Sequence, residues 1–327
     1  MPIIEQSSYK ANWIYRDPHL STILPAFRKE AKLQYQRHRF QTPDDDFFDV
    51  DFSKLSGSRS LGILCHGLEG SSHSPYMTHA AKTLNDIGID AAGFNYRSCS
   101  GEPNNLIRSY HSGKSDDLAF LISHMIKEYE SIYLIGFSIG GNITLKYLGE
   151  NLGKVPEQVK RAIVYAVPFC LEACAYELTK PHNSLYMKVF LWQLHDKVKA
   201  KMKKFPGQID DEHFHKIKTF YDYDRLYTAP LNGFKDEYDY WNQASSKRFL
   251  TEIDKPTVII NAQDDPFLAG ECYPLEAAKT NPNLFLEMPK YGGHMGFARF
   301  AAVHWWQERM MEIITSDQLA VGSAPAA

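Results

Sequence analysis

Gly136-Phe137-Ser138-Ile139-Gly140 stands where one backbone periodicity gives way to another. Before it, Ile132-Tyr133-Leu134-Ile135 is a short apolar run of strand character. After it, Gly141-Asn142-Ile143-Thr144-Leu145-Lys146-Tyr147-Leu148 has helical spacing. A serine in so sharp a strand-to-helix turn takes a strained backbone, and small flanking residues let that turn lift its Oγ clear of the sheet. The five-residue pattern alone is weak evidence. Between a strand and a helix it reads as a nucleophile elbow with Ser138 at the tip.

Strands and helices alternate on both sides of the elbow. Strand patterns occur at Leu61 to Cys65, Ile89 to Tyr96, Ile132 to Phe137, Arg161 to Val167, Thr257 to Asn261 and Leu284 to Met288. Helical patterns occur at Tyr76 to Ile87, Lys114 to Tyr129, Ile139 to Leu148, Glu271 to Thr280 and Val303 to Ile314. Such alternation implies right-handed crossovers and a mostly parallel sheet covered on both faces, an α/β fold. Arg37 to Phe52, around the acidic turn Pro43-Asp44-Asp45-Asp46, reads as an antiparallel pair at one sheet edge. The alternation fails between Cys170 and about Pro256, where lysines and aromatics replace strand patterns. A chain of 327 residues is long for one domain, and this gap explains the excess. The expected organisation is a single domain over 1–327, with a helical cap or lid inserted at 170–256 and a disordered tail at 317–327.

Lysine plus arginine (36) nearly balances aspartate plus glutamate (39), which argues against nucleic acid and for a small-molecule partner. No run of about 18 apolar residues and no signal-peptide pattern occurs. No integral membrane segment is therefore expected. Five cysteines, an odd number scattered through strands and loops, suit a reducing compartment, so the expected location is cytoplasmic.

A serine nucleophile needs a base, an acid that orients the base, and donors for the oxyanion. In this architecture they follow in the order serine, acid, histidine. His294, in the glycine-framed loop Tyr291-Gly292-Gly293-His294-Met295-Gly296 after the last strand, is preferred over His304, which falls in a helical pattern. The acid should follow Thr257 to Asn261, where spacing leaves Asp264 and Asp265 both open. Asp265 is preferred because Pro266-Phe267 stiffens the turn behind it. Glu172 is a remote third option. The oxyanion donors should be the backbone N–H groups of Ile139 and of Leu68, the latter in His66-Gly67-Leu68-Glu69-Gly70.

Other segments read as structural. His66 lacks a second metal ligand nearby, and His213 with His215 falls on a polar surface, so no metal or cofactor is expected. Cys99 has no base partner and reads as a packed loop residue, with Arg97 and Glu102 as an ion pair fixing that loop. In the insertion, Met187, Phe190, Leu191, Leu194 and Val198 form one helical stripe. Lys188, Lys197, Lys199, Lys201, Lys203 and Lys204 read as its solvated face, with peripheral lipid contact through the lid as the alternative.

These segments resemble the YheT-like branch of the α/β-hydrolases, which includes bacterial esterases and eukaryotic abhydrolase-domain lipases. The matching stretches run in order along nearly the whole chain: His66 to Ser72 with Ser74-Pro75-Tyr76, Asn95-Tyr96-Arg97 through Asn104, His111-Ser112-Gly113, Gly136 to Asn142, Thr228-Ala229-Pro230 with Gly233-Phe234 and Asp239-Tyr240, Asp264 to Phe267, and Tyr291 to Phe297. The resemblance implies the α/β-hydrolase fold, a Ser138-Asp265-His294 triad, and hydrolysis of short or medium acyl esters through an acyl-enzyme. A thioesterase or acylglycerol lipase on the same triad, and a catalytically silent binding protein, are the alternatives. Three departures stand out: Ser21 where the family usually has glutamine, no glycine at the centre of Asp44-Asp45-Asp46, and Trp241 where a second tyrosine is common.

Overall fold

Near-continuous apolar runs such as Leu61-Gly62-Ile63-Leu64-Cys65 must be covered on both faces, and that demand organises the chain. A computed structural model describes residues 3–316, so the disorder expected for 317–327 lies outside the described residues. Among the described residues nine strands form one sheet: β1 (Ile3–Ile4), β2 (Gln36–Gln41), β3 (Phe47–Ser53), β4 (Ser60–Cys65), β5 (Asp90–Asn95), β6 (Ser131–Phe137), β7 (Val159–Tyr165), β8 (Thr257–Ile260) and β9 (Leu284–Glu287). Their order is β1-β9-β8-β7-β6-β4-β5-β3-β2. β3 pairs antiparallel with both β2 and β5, and all other pairs are parallel.

The helices are α1 (Pro18–Ile23), α2 (Pro75–Asp86), α3 (Ser115–Met125), α4 (Ile139–Glu150), α5 (Leu171–Glu177), α6 (Ser184–Lys204), α7 (Phe220–Tyr223), α8 (Ala229–Asn232), α9 (Glu237–Ala244), α10 (Leu275–Thr280) and α11 (Trp305–Thr315). α3 and α4 bury Leu118, Leu121, Ile143 and Leu148 against one sheet face. On the other face, α2 and α11 bury Met77, Leu84, Trp305 and Met310. Between β7 and β8 lie five helices, α5 to α9. Met187, Leu191, Leu194 and Val198 of α6 pack there with Phe214, Tyr223 and Tyr227, and Phe267 from the loop after β8 joins them.

Several elements differ from their sequence patterns for identifiable reasons. α10 begins at Leu275 rather than Glu271, because Tyr273, which precedes Pro274, is extended (φ -126°, ψ 89°). α3 ends at Met125, after which a turn brings Tyr129 in to donate its hydroxyl to Asp90 at 2.8 Å. β1 and α1 have no periodic signature. Their partners lie at the other end of the chain: Ile3 pairs with Leu286, and Ser21 Oγ donates to Gly292 O at 2.9 Å. In the acidic turn, Asp45 takes the missing glycine's place at φ 59°, a region that aspartate tolerates better than most residues.

The expected pairing of Arg97 with Glu102 is wrong. Glu102 pairs with Arg39 at 2.7 Å. Arg97 is 2% exposed and reaches inward, with Nε and Nη2 on Asp117 (2.8 and 2.6 Å) and Nη1 on Asp44 and Asp46 (2.8 and 2.9 Å). One guanidinium thus joins the β2–β3 turn, the loop after β5 and the first turn of α3. Its fork holds more carboxylates than a point charge could orient.

Arg97→Met should cost about 3–5 kcal/mol, because it strands buried carboxylates. Lys82→Met, which removes the exposed pair with Asp86, should cost less than about 1 kcal/mol. Urea unfolding of the two variants checks the contrast.

Candidate active site

Ser138 joins β6 to α4 with φ 54° and ψ -122°, a left-handed backbone that is costly for any residue but glycine. Its N–H donates to Tyr165 O of β7 at 2.8 Å, and its own carbonyl accepts from Gly141 N–H at 2.9 Å. The flanking glycines are a packing requirement. A Cβ on Gly136 would lie 2.6 Å from Gly140 O, and one on Gly140 would lie 2.2 Å from Cys65 O, in both cases against backbone that cannot give way.

The loop after β9 carries His294 to this serine. Its Nε2 lies 2.9 Å from Ser138 Oγ, and its Nδ1 lies 2.9 and 3.1 Å from the two oxygens of Asp265. With Nδ1–H donating to the carboxylate, Nε2 accepts the serine proton. The Asp265 side chain is fully buried and accepts from Phe267 N–H at 2.9 Å. Phe267 also packs on the imidazole, ring centres 4.3 Å apart. α1 backs this loop: Thr22 Oγ1 accepts the His294 N–H at 2.9 Å, and a Cβ on Gly296 would collide with Ser21 O at 2.1 Å. Ser21, one of the departures from the family pattern, is buried at this contact.

Asp264, the other aspartate in question, points elsewhere and accepts Gly293 N–H at 2.9 Å. Its Oδ2 is buried without a hydrogen-bond partner among the described residues. Burial first, with the nearby Asp265 charge adding to it, pushes its pKa up to about 6. His304 is not interior to a helix as expected; it is the N-cap of α11, and its Nδ1 accepts Arg299 N–H at 3.3 Å. Glu172 is exposed in the first turn of α5.

The loop after β4 passes over the serine. A Cβ on Gly67 would come within 3.4 Å of Ser138 Cβ, and Gly67 N–H is taken by Tyr76 Oη at 2.8 Å. Leu68 N–H has no acceptor among the described residues. Ile139 N–H, at the first position of α4, has none within its helix. His66 holds the loop from below: Nδ1–H donates to Gly67 O at 2.7 Å, and Nε2 accepts Tyr96 N–H at 3.3 Å. Burial lowers its pKa to about 3, which keeps the ring neutral.

A cavity of about 140 Å³ opens above Ser138 and His294. Phe190, Leu194 and Val198 of α6, together with Tyr223, Tyr227 and Leu231, give it an apolar wall. Lys197 and Lys201 also line it, contrary to the expectation that the lysines of this helix all face solvent. Lys197 Nζ lies 2.9 Å from Glu69 Oε1 and 3.3 Å from Cys99 Sγ. Burial disfavours its ammonium, yet the Glu69 carboxylate beside it holds its pKa above the usual lysine value. Lys201 Nζ donates to Asn104 Oδ1 at 2.6 Å, and burial lowers its pKa to about 7. Burial also pushes the Cys99 thiol up to about 12, far from a thiolate nucleophile. His213 and His215 lie on the exterior of the insertion.

Residues 63–299 match the family model described as the alpha/beta hydrolase fold. "Putative esterase YheT" of Escherichia coli (strain K12) is 31% identical over 309 residues, 91% of this chain and 90% of that protein. "Phospholipase ABHD3" of Bos taurus is 31% identical over 307 residues, 90% of this chain and 74% of that protein. Among solved structures, the Pyrococcus furiosus esterase PF2001 superposes with a TM-score of 0.56 at 18% identity, covering 86% of this chain and 91% of that one, a likeness of fold.

Asp264→Asn should raise stability, increasingly so as pH climbs. The raised folded-state pKa makes Asp264 favour folding below about pH 4, and that contribution is lost as pH rises through about 6. The amide oxygen keeps the Gly293 hydrogen bond and removes the buried charge. Thermal midpoints of both proteins should therefore converge near pH 4 and separate above pH 6.

Proposed function

The chain belongs to the α/β-hydrolase family and is a hydrolase, and from that premise we propose that it is a serine carboxylic ester hydrolase working through an acyl-enzyme. The supporting observation is the unbroken hydrogen-bond line from Ser138 Oγ through His294 to Asp265, each link 2.9 Å, starting from a serine held at φ 54°. Ser138 Oγ attacks the acyl carbonyl while its proton passes to His294 Nε2. Asp265 holds the productive tautomer and stabilises the imidazolium. Leu68 and Ile139 N–H groups receive the oxyanion. His294 then protonates the departing alcohol, and the same base activates the water that releases the acid.

The insertion at 170–256 acts as a cap whose inner wall selects the acyl group. The cavity is close in size to one of about 150 Å³ that accepts benzene. In this position of the cap, acyl chains of about four to six carbons fit best, and longer ones need α6 to move. Phospholipid or acylglycerol hydrolysis is a second reading, favoured by one observation. Leu185, Val189 and Trp192 project from the outer side of α6 at 60%, 45% and 63% exposure, next to Lys188, a surface suited to lipid contact. Among the described residues no helix is long and apolar enough to cross a membrane, so this contact would be peripheral.

Turnover of p-nitrophenyl acetate, butyrate, octanoate and laurate should peak at butyrate. Ser138→Ala should abolish both turnover and fluorophosphonate labelling, and Asp265→Asn should lower kcat by about 10⁴ through the wrong tautomer. Faster hydrolysis of acyl-CoA than of oxygen esters would make the enzyme a thioesterase. Well-folded protein inert to the fluorophosphonate would leave a binding protein.

A further inference from the structure

The turn Gly67-Leu68-Glu69-Gly70 is closed by Gly70 N–H donating to Gly67 O at 3.1 Å, and its third residue, Glu69, has φ 52°. Turns with a left-handed third residue ordinarily place glycine there. Glutamate at this position accepts backbone strain for the sake of its side chain. That side chain is buried: Oε1 takes the Tyr110 hydroxyl at 2.9 Å and the Lys197 ammonium at 2.9 Å, with the Glu69 and Lys197 side chains 9% and 10% exposed. Tyr110 Oη in turn accepts Glu69's own N–H at 2.9 Å. The ammonium also sits 4.4 Å from the Tyr110 ring centre.

These contacts cross between two parts of the molecule. Tyr76 pins the first residue of the turn through Gly67 N–H, from α2 below. Glu69 pins the third residue to Lys197 of α6, from the insertion above. Leu68, whose N–H is the unclaimed donor, lies between the two anchors. We propose that Lys197 and Glu69 are positioning residues for this donor, so that docking of α6 completes the oxyanion hole. The proposal rests on the reading of Ser138 as the acylated nucleophile. Neither residue touches the reacting atoms: the ammonium restrains the carboxylate, and the carboxylate restrains the strained turn. When α6 lifts away, the carboxylate loses its counter-charge and the turn its anchor, so substrate entry and a competent oxyanion hole alternate.

The test compares Glu69→Gln, Glu69→Gly, Lys197→Met and the double variant Glu69→Gln with Lys197→Met, using p-nitrophenyl butyrate kinetics, thermal midpoints and inhibition by an alkylboronic acid. The single variants should lose about 10- to 100-fold in kcat with KM within about threefold, and the boronate Ki should rise by the same factor, because both report the tetrahedral state. Glu69→Gly relieves the left-handed strain but leaves the Lys197 ammonium without its carboxylate, so its thermal midpoint should fall less than that of Glu69→Gln while kcat is still lost; this variant decides the matter if Lys197→Met does not fold. The double variant should be no slower than the slower single variant, since both break one chain of contacts. Folded Glu69→Gln and Glu69→Gly enzymes with kcat within about twofold of the parent, or changes in KM alone, would overturn the proposal. End-point fluorophosphonate labelling should stay complete in all these variants and vanish in Ser138→Ala. Turnover surviving in Ser138→Ala would instead overturn the underlying reading.

Discussion

The close approach of the elbow to β4 is the constraint on which the rest of the structure depends. Gly140 lies against the carbonyl of Cys65 so tightly that a single methyl group would overlap backbone. This approach seats α4 low on the sheet and brings the loop after β4 directly over Ser138. It also fixes where His294 and Asp265 must arrive to meet the serine. A left-handed serine costs about 1–3 kcal/mol and persists only where its surroundings over-determine it. Here the determinants are the ladder between β6 and its neighbours β4 and β7, the bond from Ser138 N–H to Tyr165 O, and the apolar packing of Ile143 and Leu145 beneath α4.

Charge is arranged around that constraint in two buried groups. Arg97 gathers Asp44, Asp46 and Asp117 at the β2–β3 side of the sheet, where it fixes loops whose backbones have few ladder bonds. Lys197 gathers Glu69, Cys99 and Tyr110 on the cavity side. In both, one long cation ties together segments that apolar packing alone would leave free to slide. Low exposure makes these contacts directional, and it also makes a half-made cluster costly. The two groups differ in what they join: Arg97 links loops of the sheet to each other and to α3, whereas Lys197 links the sheet to the inserted helices.

Local order was legible in the residues themselves. The elbow, the strand series from Leu61 to Met288, and the placement of His294 and Asp265 after the last strands all follow from periodicity and chain order. Asp265 and Asp264 could not be separated by spacing, because adjacent residues in a turn differ in direction rather than position. Structure separates them through Phe267 N–H on one and Gly293 N–H on the other. Long side chains are less legible. Lys197 and Lys201 stand seven residues after Phe190 and Leu194, so helical geometry places them on the inner stripe, but their charge suggested solvent. Proximity in sequence pairs Arg97 with Glu102, while its partners lie up to 53 residues away. β1 and α1 gave no periodic signal, since their form comes from partners more than 270 residues distant.

Those last contacts bear on when the molecule can first act. The histidine loop rests on Thr22 and Ser21, yet it is made more than 270 residues after them. At about 5–20 residues per second, a ribosome needs about 14–54 s to pass from Thr22 to His294. Throughout that interval the serine turn and the loop above it can fold while His294 is still unmade. On the proposed mechanism the nascent chain is therefore inert until these distant segments meet, and the first turnover marks the closing of the whole fold.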